Sequence, residues 1–339
     1  MILLDTIKGK QTSRPPVWFM RQAGRVLPNY NALKEKYSFR EMMNDPWLAS
    51  EVTLMPVKDL GVDAAILFSD ILVVPEAMGM KVSFTDKGPV FENPLKGSVR
   101  PSSLLKPDPS KLEYIFKVID EINRNRPIDI PLIGFCGAPL TTLCYMIQGI
   151  SANTNFPEAV NFLYTNRKEA IRLIEAITEL SIYYALKQIE HSVMVFQLFD
   201  THAGLIPVSL YEELFIPAIK KIAKAIKTTG TPFIFFPKGL GTGLKLITPD
   251  IADIAGIDWQ VPLEHARGII HGEVGLQGNL DPRLLFATKQ EIETELEKFV
   301  NFYQNNKKWI FNLGHGFLPE TPYENALFIA DWVKRTNWE

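Results

Sequence analysis

The sequence predicts an α/β fold, a single-domain (β/α)8 TIM barrel over residues 1–339, and three observations carry that prediction. Short apolar runs rich in β-branched and aromatic residues recur along the chain, and nearly every one ends in glycine with polar or charged residues. Helical patterns separate most of them. Runs that are apolar throughout, without alternation, are the signature of parallel strands buried on both faces. Eight such runs favour a closed barrel over an open doubly wound sheet, and 339 residues lie within the barrel range.

In chain order the expected strands are residues 17–20, 64–68, 132–135, 193–199, 233–236, 257–259, 274–277 and 309–313. They run into RQAGR, Ser69 with Asp70, CGAP, DTHAG, PKGLG, QVP, GNLDP and GHG. The clearest helix spans about residues 158–190. There Leu173, Ile174, Ile177, Leu180 and Tyr184 repeat at three and four residues, while Arg172, Glu175 and Glu179 fall elsewhere on the surface. Only about 14 residues separate the sixth and seventh strands, barely enough for a crossover helix. Residues 85–110 break the repeat. Pro89, Pro94, Pro101, Pro107 and Pro109 lie there among lysines and serines, which reads as an irregular insertion after the second strand. A domain linker is the competing reading, set behind because the flanks continue one strand–helix alternation.

Composition narrows the function classes. Apolar residues make up 46% and charged residues 22%, a globular balance that excludes a mainly disordered, collagenous or membrane chain. Two cysteines, Cys136 and Cys144, cannot build a disulfide framework and suit a reducing compartment. Lysine plus arginine is 36 against 38 acidic residues, so no nucleic-acid-binding surface is expected. Asp5 interrupts the apolar start before a signal peptide could form, and no stretch approaches the ~18 apolar residues of a membrane span. The expectation is a cytoplasmic protein with no membrane partner.

In a barrel the loops after the strands meet at one face, where function concentrates. The candidates are therefore Arg21, Gln22 and Arg25 after the first strand, Asp70 after the second, and Tyr145 beyond the third. Asp200, Thr201 and His202 follow the fourth strand, Lys238 the fifth and His315 the eighth. Arg21, Arg25 and Lys238, with Lys34 as a possible neighbour, would equip a neutral protein for a multiply anionic small molecule, since guanidinium forks grip carboxylates two-fold. Pairing with surface carboxylates is the ordinary fate of an arginine, but two in a short glycine-containing loop after a buried strand point to a site. Asp70 follows a buried run directly, so its carboxylate needs partners. It could accept ring N–H donors or stabilise a developing cation. Equally, it could cap a helix or pair with Arg21 or Arg25.

Other signals are weaker. Gly239, Gly241 and Gly243 fit neither the dinucleotide fingerprint nor a P-loop and read as a turn. Cys136 and Cys144 have no histidine near them in sequence, so no metal site is expected. His202 and His315 could be acid–base groups or could orient a substrate. No GxSxG elbow and no HExxH helix occurs.

RPPVWFMRQAGR (14–25), FSDILVVPEAMGM (68–80), GFCGAPLTTLCYM (134–146), FDTHAG (199–204), QGNLDP (277–282) and NLGHG (312–316) together resemble the uroporphyrinogen decarboxylase family, in the family's order and across most of the chain. The resemblance implies a single-domain barrel, usually a homodimer. It implies removal of carbon dioxide from the four acetate side chains of uroporphyrinogen III to give coproporphyrinogen III, without metal or organic cofactor. By motif it implies that the loop of Arg21, Gln22, Ala23, Gly24 and Arg25 contacts substrate. Asp70 would bind the central pyrrole N–H groups, while Tyr145, Thr201 and His315 complete the pocket, with Asp70 and Arg21 in the catalytic role. Thr201 stands where many relatives have serine. Val26, Asn29 and Asn31 stand where the family often has a tyrosine and, further on, an acidic residue and an arginine.

The chemistry supplies reasons for those roles. Loss of carbon dioxide from an acetate leaves an electron pair on a methylene carbon, and a pyrrole protonated on carbon could accept it much as a pyridoxal cofactor does. A fixed anion beneath the ring nitrogens favours that cation. The proton donor stays open, because arginine is hard to deprotonate and an anionic aspartate cannot at once be the acid. Two alternatives stand beside this reading. A corrinoid-dependent methyltransferase on the related barrel would need zinc ligands of the His/Cys type at strand ends. A tetrapyrrole carrier would keep the barrel and lose turnover.

Overall fold

The computed structural model describes residues 1–85, 88–149 and 155–339. Nine strands occur among them: β1 (Ala65–Ile66), β2 (Val82–Thr85), β3 (Gly88–Phe91), β4 (Leu132–Gly137), β5 (Val195–Asp200), β6 (Phe233–Pro237), β7 (Ile254–Gly256), β8 (Gly275–Gln277) and β9 (Trp309–Ile310). Seven form one curled parallel sheet in the order β1-β4-β5-β6-β7-β8-β9, which is the chain order, with helices on most of the connections. Residues of β4, β6, β7 and β8 are buried throughout, as expected of strands covered on both faces.

The first expected strand is not one. Of residues 17–20 only Val17 makes a bridge, to Phe311. Side chains take over the ladder there: Asp63 accepts from the Val17 amide at 2.8 Å, Gln22 from Phe19 at 2.9 Å and Asn312 from Met20 at 3.1 Å. Pro15 and Pro16 just before it have no N–H to donate. The segment still bonds on both sides, Pro16 accepting from Phe311 at 2.9 Å and Val17 from Asp63 at 2.8 Å. It therefore lies between β9 and the chain entering β1.

The sixth strand also differs from expectation. It is Ile254–Gly256, and residues 257–259 form the loop beyond it. Asp253 interrupts the apolar pattern, but its backbone is within the ladder, with its amide on the Phe233 carbonyl and its carbonyl accepting from Gly275. The short crossover to β8 is the seven-residue helix Leu263–Ile269.

The helix expected over residues 158–190 is two helices, Pro157–Thr165 and Arg167–Glu190, broken at Asn166 (φ −132°, ψ 57°). The periodicity holds within the second. Leu173, Ile174, Ile177, Leu180 and Tyr184 are buried, while Arg172, Glu175 and Glu179 are exposed.

Residues 85–110, of which 86 and 87 lie outside the described residues, are more ordered than a proline-rich stretch suggests. β2 and β3 pair antiparallel with Val82 opposite Phe91, and 3-10 turns cover Pro101–Leu104 and Pro109–Leu112. The stretch docks on the helix Pro139–Gln148, since Phe91, Leu95 and Lys96 donate to the carbonyls of Gly149, Met146 and Ile147.

Candidate active site

The C-terminal ends of β1, β4, β5 and β6 bring Ile66, Phe135, Phe199 and Phe236 to one end of the sheet, where they floor a cavity of about 650 Å3. Phe135 meets Phe199 edge-on at 5.6 Å, and Phe199 meets Phe236 at 6.2 Å. Phe68, with Tyr30 at 6.0 Å and Phe39 at 5.2 Å, makes a second aromatic wall. A largely apolar concavity with a few converging polar groups is the general form of a small-molecule site.

Those polar groups include most of the predicted ones. Arg21, Ala23, Gly24, Arg25, Asp70, Tyr145, Thr201 and His315 all line the cavity. Arg21 has φ of 62°, a left-handed conformation that costs an arginine on the order of 1–2 kcal/mol and marks a loop held by its surroundings. Gly316 is part of that hold. Its α-carbon faces the aliphatic stem of Arg21 so closely that a methyl group would overlap the side chain. The Phe317 amide donates to the Met20 carbonyl at 3.1 Å, tying the two loops together.

Asp70 combines a local turn with a carboxylate face turned to the cavity. Its Oδ1 accepts from the Leu72 amide at 2.8 Å, at the entry to the short helix Val73–Ala77. Its Oδ2 makes no protein hydrogen bond among the described residues, and neither Arg21 nor Arg25 forms an ion pair with it. Burial raises its pKa from 3.8 to about 6; the Leu72 hydrogen bond opposes that, Glu76 adds to it, and Arg21 and Arg40 draw it down. At neutral pH the carboxylate is charged and at a cost.

The neighbouring groups stay neutral. Burial pushes the Tyr145 phenol up to about 12 and lowers His315 to about 3, the latter helped by the nearby charges of Arg21 and Lys238. His315, seated between Phe236 at 6.4 Å and Trp259 at 6.3 Å, is thus an imidazole that donates from one nitrogen and accepts at the other.

Several sequence candidates lie elsewhere. Gln22 is fully buried behind the wall, donating to the Ala64 carbonyl at 2.9 Å and accepting from Phe19, so it braces the arginine loop and does not face the cavity. Asp200 is buried among Thr141 and Tyr211, whose hydroxyls both donate to it at 2.6 Å. His202 packs on Phe156 at 4.6 Å, lowered to about 4 by burial, and Lys238 lies 5.4 Å over the Trp259 ring. Lys34 is not a wall residue either.

The family model described as uroporphyrinogen decarboxylase matches residues 2–336. The chain belongs to the uroporphyrinogen decarboxylase family. Among its relatives, the uroporphyrinogen decarboxylase of Trichlorobacter lovleyi is 41% identical over 333 residues, covering 98% of this chain and 97% of that one. That of Geobacter metallireducens is 39% identical over the same extent. Among solved structures, a methyltransferase from Methanosarcina mazei superposes with a TM-score of 0.77 at 18% identity, over 98% of this chain and 97% of that one, a likeness of fold alone.

The positions where this chain departs from the family pattern now have places. Val26 is buried and lines the cavity, Asn31 donates to the Arg25 carbonyl at 2.9 Å, and Asn29 donates to Asp59 at 3.0 Å. The zinc-dependent alternative would need His/Cys ligands at strand ends. Cys136 and Cys144 are fully buried, burial pushes both thiols up, and no three His, Cys, Asp or Glu side chains gather among the described residues. Sequence reasoning missed the aromatic walls, because Phe68, Phe135, Phe199 and Phe236 read as ordinary core. Their position at the end of each apolar run was the available signal.

Proposed function

We propose that this member of the family decarboxylates the four acetate side chains of uroporphyrinogen III to coproporphyrinogen III, with Asp70 and Arg21 in the catalytic role. One observation carries the reading: a carboxylate with a free oxygen, held ionised in an aromatic cavity whose wall also carries Arg21 and Arg25. The substrate is a flexible macrocycle with four inward N–H groups and carboxylates around its rim. Asp70 Oδ2 accepts the N–H groups. Arg21 and Arg25 take rim carboxylates, and the Tyr145 and Thr201 hydroxyls and the neutral His315 imidazole complete the polar contacts.

In each round a proton adds to a pyrrole carbon, giving a ring cation that the Asp70 anion stabilises. The bond from methylene to carboxylate breaks, its electron pair neutralises the ring, carbon dioxide leaves, and reprotonation and loss of the first proton restore the pyrrole. The net change is one acetate plus one proton to one methyl group and one carbon dioxide. A preorganised charge in a water-poor cavity is the strongest stabilisation such a site can offer the ring cation. The ring is the electron sink, and the chemistry needs no metal or organic cofactor.

We read the fold as one closed (β/α)8 barrel domain, with residues 16–18 as the eighth stave; their hydrogen bonds to Phe311 and Asp63 support this. We read the protein as a cytoplasmic homodimer. Two free buried thiols fit a reducing compartment, and no helix among the described residues is long and apolar enough to cross a membrane. Anaerobic incubation with uroporphyrinogen III and no additive, followed by chromatography, tests the function. The four-carboxylate product supports it, and unchanged substrate refutes it.

A further inference from the structure

The C-terminal end of the sheet extends past the cavity. The loops after β6, β7 and β9 carry Lys238, Trp259 and His315. His315 is in the cavity wall, and its ring meets Trp259 edge-on at 6.3 Å. The Trp259 ring in turn has the Lys238 ammonium 5.4 Å from its centre. Phe236, two residues before Lys238, floors the cavity and stands 6.4 Å from His315. The three side chains thus continue the wall outward, since neither Lys238 nor Trp259 lines the cavity itself.

One buried carboxylate holds this arrangement. Asp258 is 4% exposed, and both its oxygens accept from backbone, Oδ2 from Gly239 at 2.6 Å and Oδ1 from Gln260 at 2.8 Å. Those amides belong to the residues that follow Lys238 and Trp259, so a single side chain fixes both loops. Asn279, beyond β8, donates to the Asp258 carbonyl at 2.9 Å. Gly314, next to His315, lies so close to the Trp259 amide nitrogen that a methyl group would overlap it. Lys238 is anchored through its own backbone, its amide donating to Asp200 at 3.0 Å and its carbonyl accepting from Gly204 at 3.1 Å.

Two cations lie over the indole, and they differ in what occupies them. Arg283, at 5.6 Å, is engaged by Asp281 at 2.5 Å. Lys238 is half-buried, and no carboxylate among the described residues forms an ion pair with it. An ammonium has three N–H donors, and contact with an aromatic face uses none of them in a hydrogen bond to an acceptor. Such a group suits an anion. The substrate carries eight carboxylates, four that leave and four that stay in the product, whereas the cavity wall offers two guanidinium groups, Arg21 and Arg25. A cation fixed on an acetate that must depart as carbon dioxide would stabilise the ground state above the transition state. One fixed on a side chain that stays stabilises both alike.

We propose that Lys238, seated against Trp259 beside His315, is a further carboxylate subsite for the tetrapyrrole, outside the cavity, and takes one of the four carboxylates that stay. This rests on the reading of uroporphyrinogen as substrate. Lys238→Met keeps the aliphatic stem on the indole and removes the charge. It should raise KM for uroporphyrinogen about tenfold, weaken coproporphyrinogen binding by the same factor in anaerobic equilibrium dialysis, and leave kcat within about twofold. Lys238→Arg should stay within about threefold of wild type in both affinities, and added salt should raise the wild-type KM more steeply than that of Lys238→Met.

A purely structural lysine would shift the melting temperature of Lys238→Met and leave both affinities in place, which overturns the proposal. A KM that rises while coproporphyrinogen binding stays put overturns it too, because the carboxylate held would then be one that leaves. Should Lys238→Met fail to fold, Lys238→Gln decides by the same two affinities. Wild type that leaves uroporphyrinogen unchanged would overturn the substrate reading, while dialysis of coproporphyrinogen against wild type and Lys238→Met still judges the subsite.

Discussion

Replacing Asp70 by asparagine should make the protein more stable and nearly inactive. Burial makes the ionised carboxyl the costly form, raising its pKa from 3.8 to about 6. A raised carboxyl pKa means that the native state binds the proton more tightly than the unfolded chain, so the stability owed to this group is full below pH ~4 and is lost as pH rises through about 6. A rise of that size corresponds to about 3 kcal/mol, and water reaching the cavity brings it down to about 1–3 kcal/mol. Asparagine keeps an acceptor for the Leu72 amide and never ionises. For a chain of this size, with an unfolding entropy of roughly 0.7 kcal/mol/K, the gain is about 1.5–4 °C in melting temperature at pH 7. Thermal melts of both proteins from pH 4 to 8 should show curves that coincide near pH 4 and separate through pH 6. A variant that melts at or below the wild type at pH 7, or a gap independent of pH, would refute the reasoning.

Arg25→Ala should raise KM at least tenfold with a smaller effect on kcat, measured with uroporphyrinogen at pH 7, because it removes a carboxylate contact made before and during reaction. Gln22→Ala should do the reverse of what its place in the motif suggests: it leaves the Phe19 amide and the Ala64 carbonyl unpaired in the core, costing about 1–3 kcal/mol by denaturant unfolding, while KM at permissive temperature changes less than threefold. Gly316→Ala should lower kcat/KM by displacing the Arg21 stem, with little loss of binding for a fragment that does not reach Arg21. His315 is held to about 3, below its unfolded value near 6.5, so its share of stability is present above pH 6.5 and lost as pH falls towards 3; His315→Gln should therefore flatten the acid side of the melting curve.

The fold was legible where one segment's composition decides its fate. Residues 132–135 and 233–236 are apolar throughout and pair as strands on both sides. Residues 17–20 are just as apolar, yet the chain there is bonded largely by Asp63, Asn312 and Gln22, none of which a local pattern can assign as partners. Asp253 disguised the sixth strand because a charged residue at a strand's start reads as a break. At the site, strand-end logic and the family motifs reached Asp70, Tyr145 and His315. They misplaced Gln22, whose amide turns inward although both loop arginines turn out. Nothing local announces that Arg40 grips Glu76, 36 residues further on, with a two-point fork.

The most direct test is the yield of carbon dioxide from uroporphyrinogen III under anaerobic conditions by wild type and Asp70→Asn, with substrate affinity measured alongside. The wild type should release four equivalents. The variant should bind substrate and turn over slower by on the order of 10²–10³, the loss expected for a preorganised electrostatic group. Turnover by the variant within threefold of wild type would contradict the account.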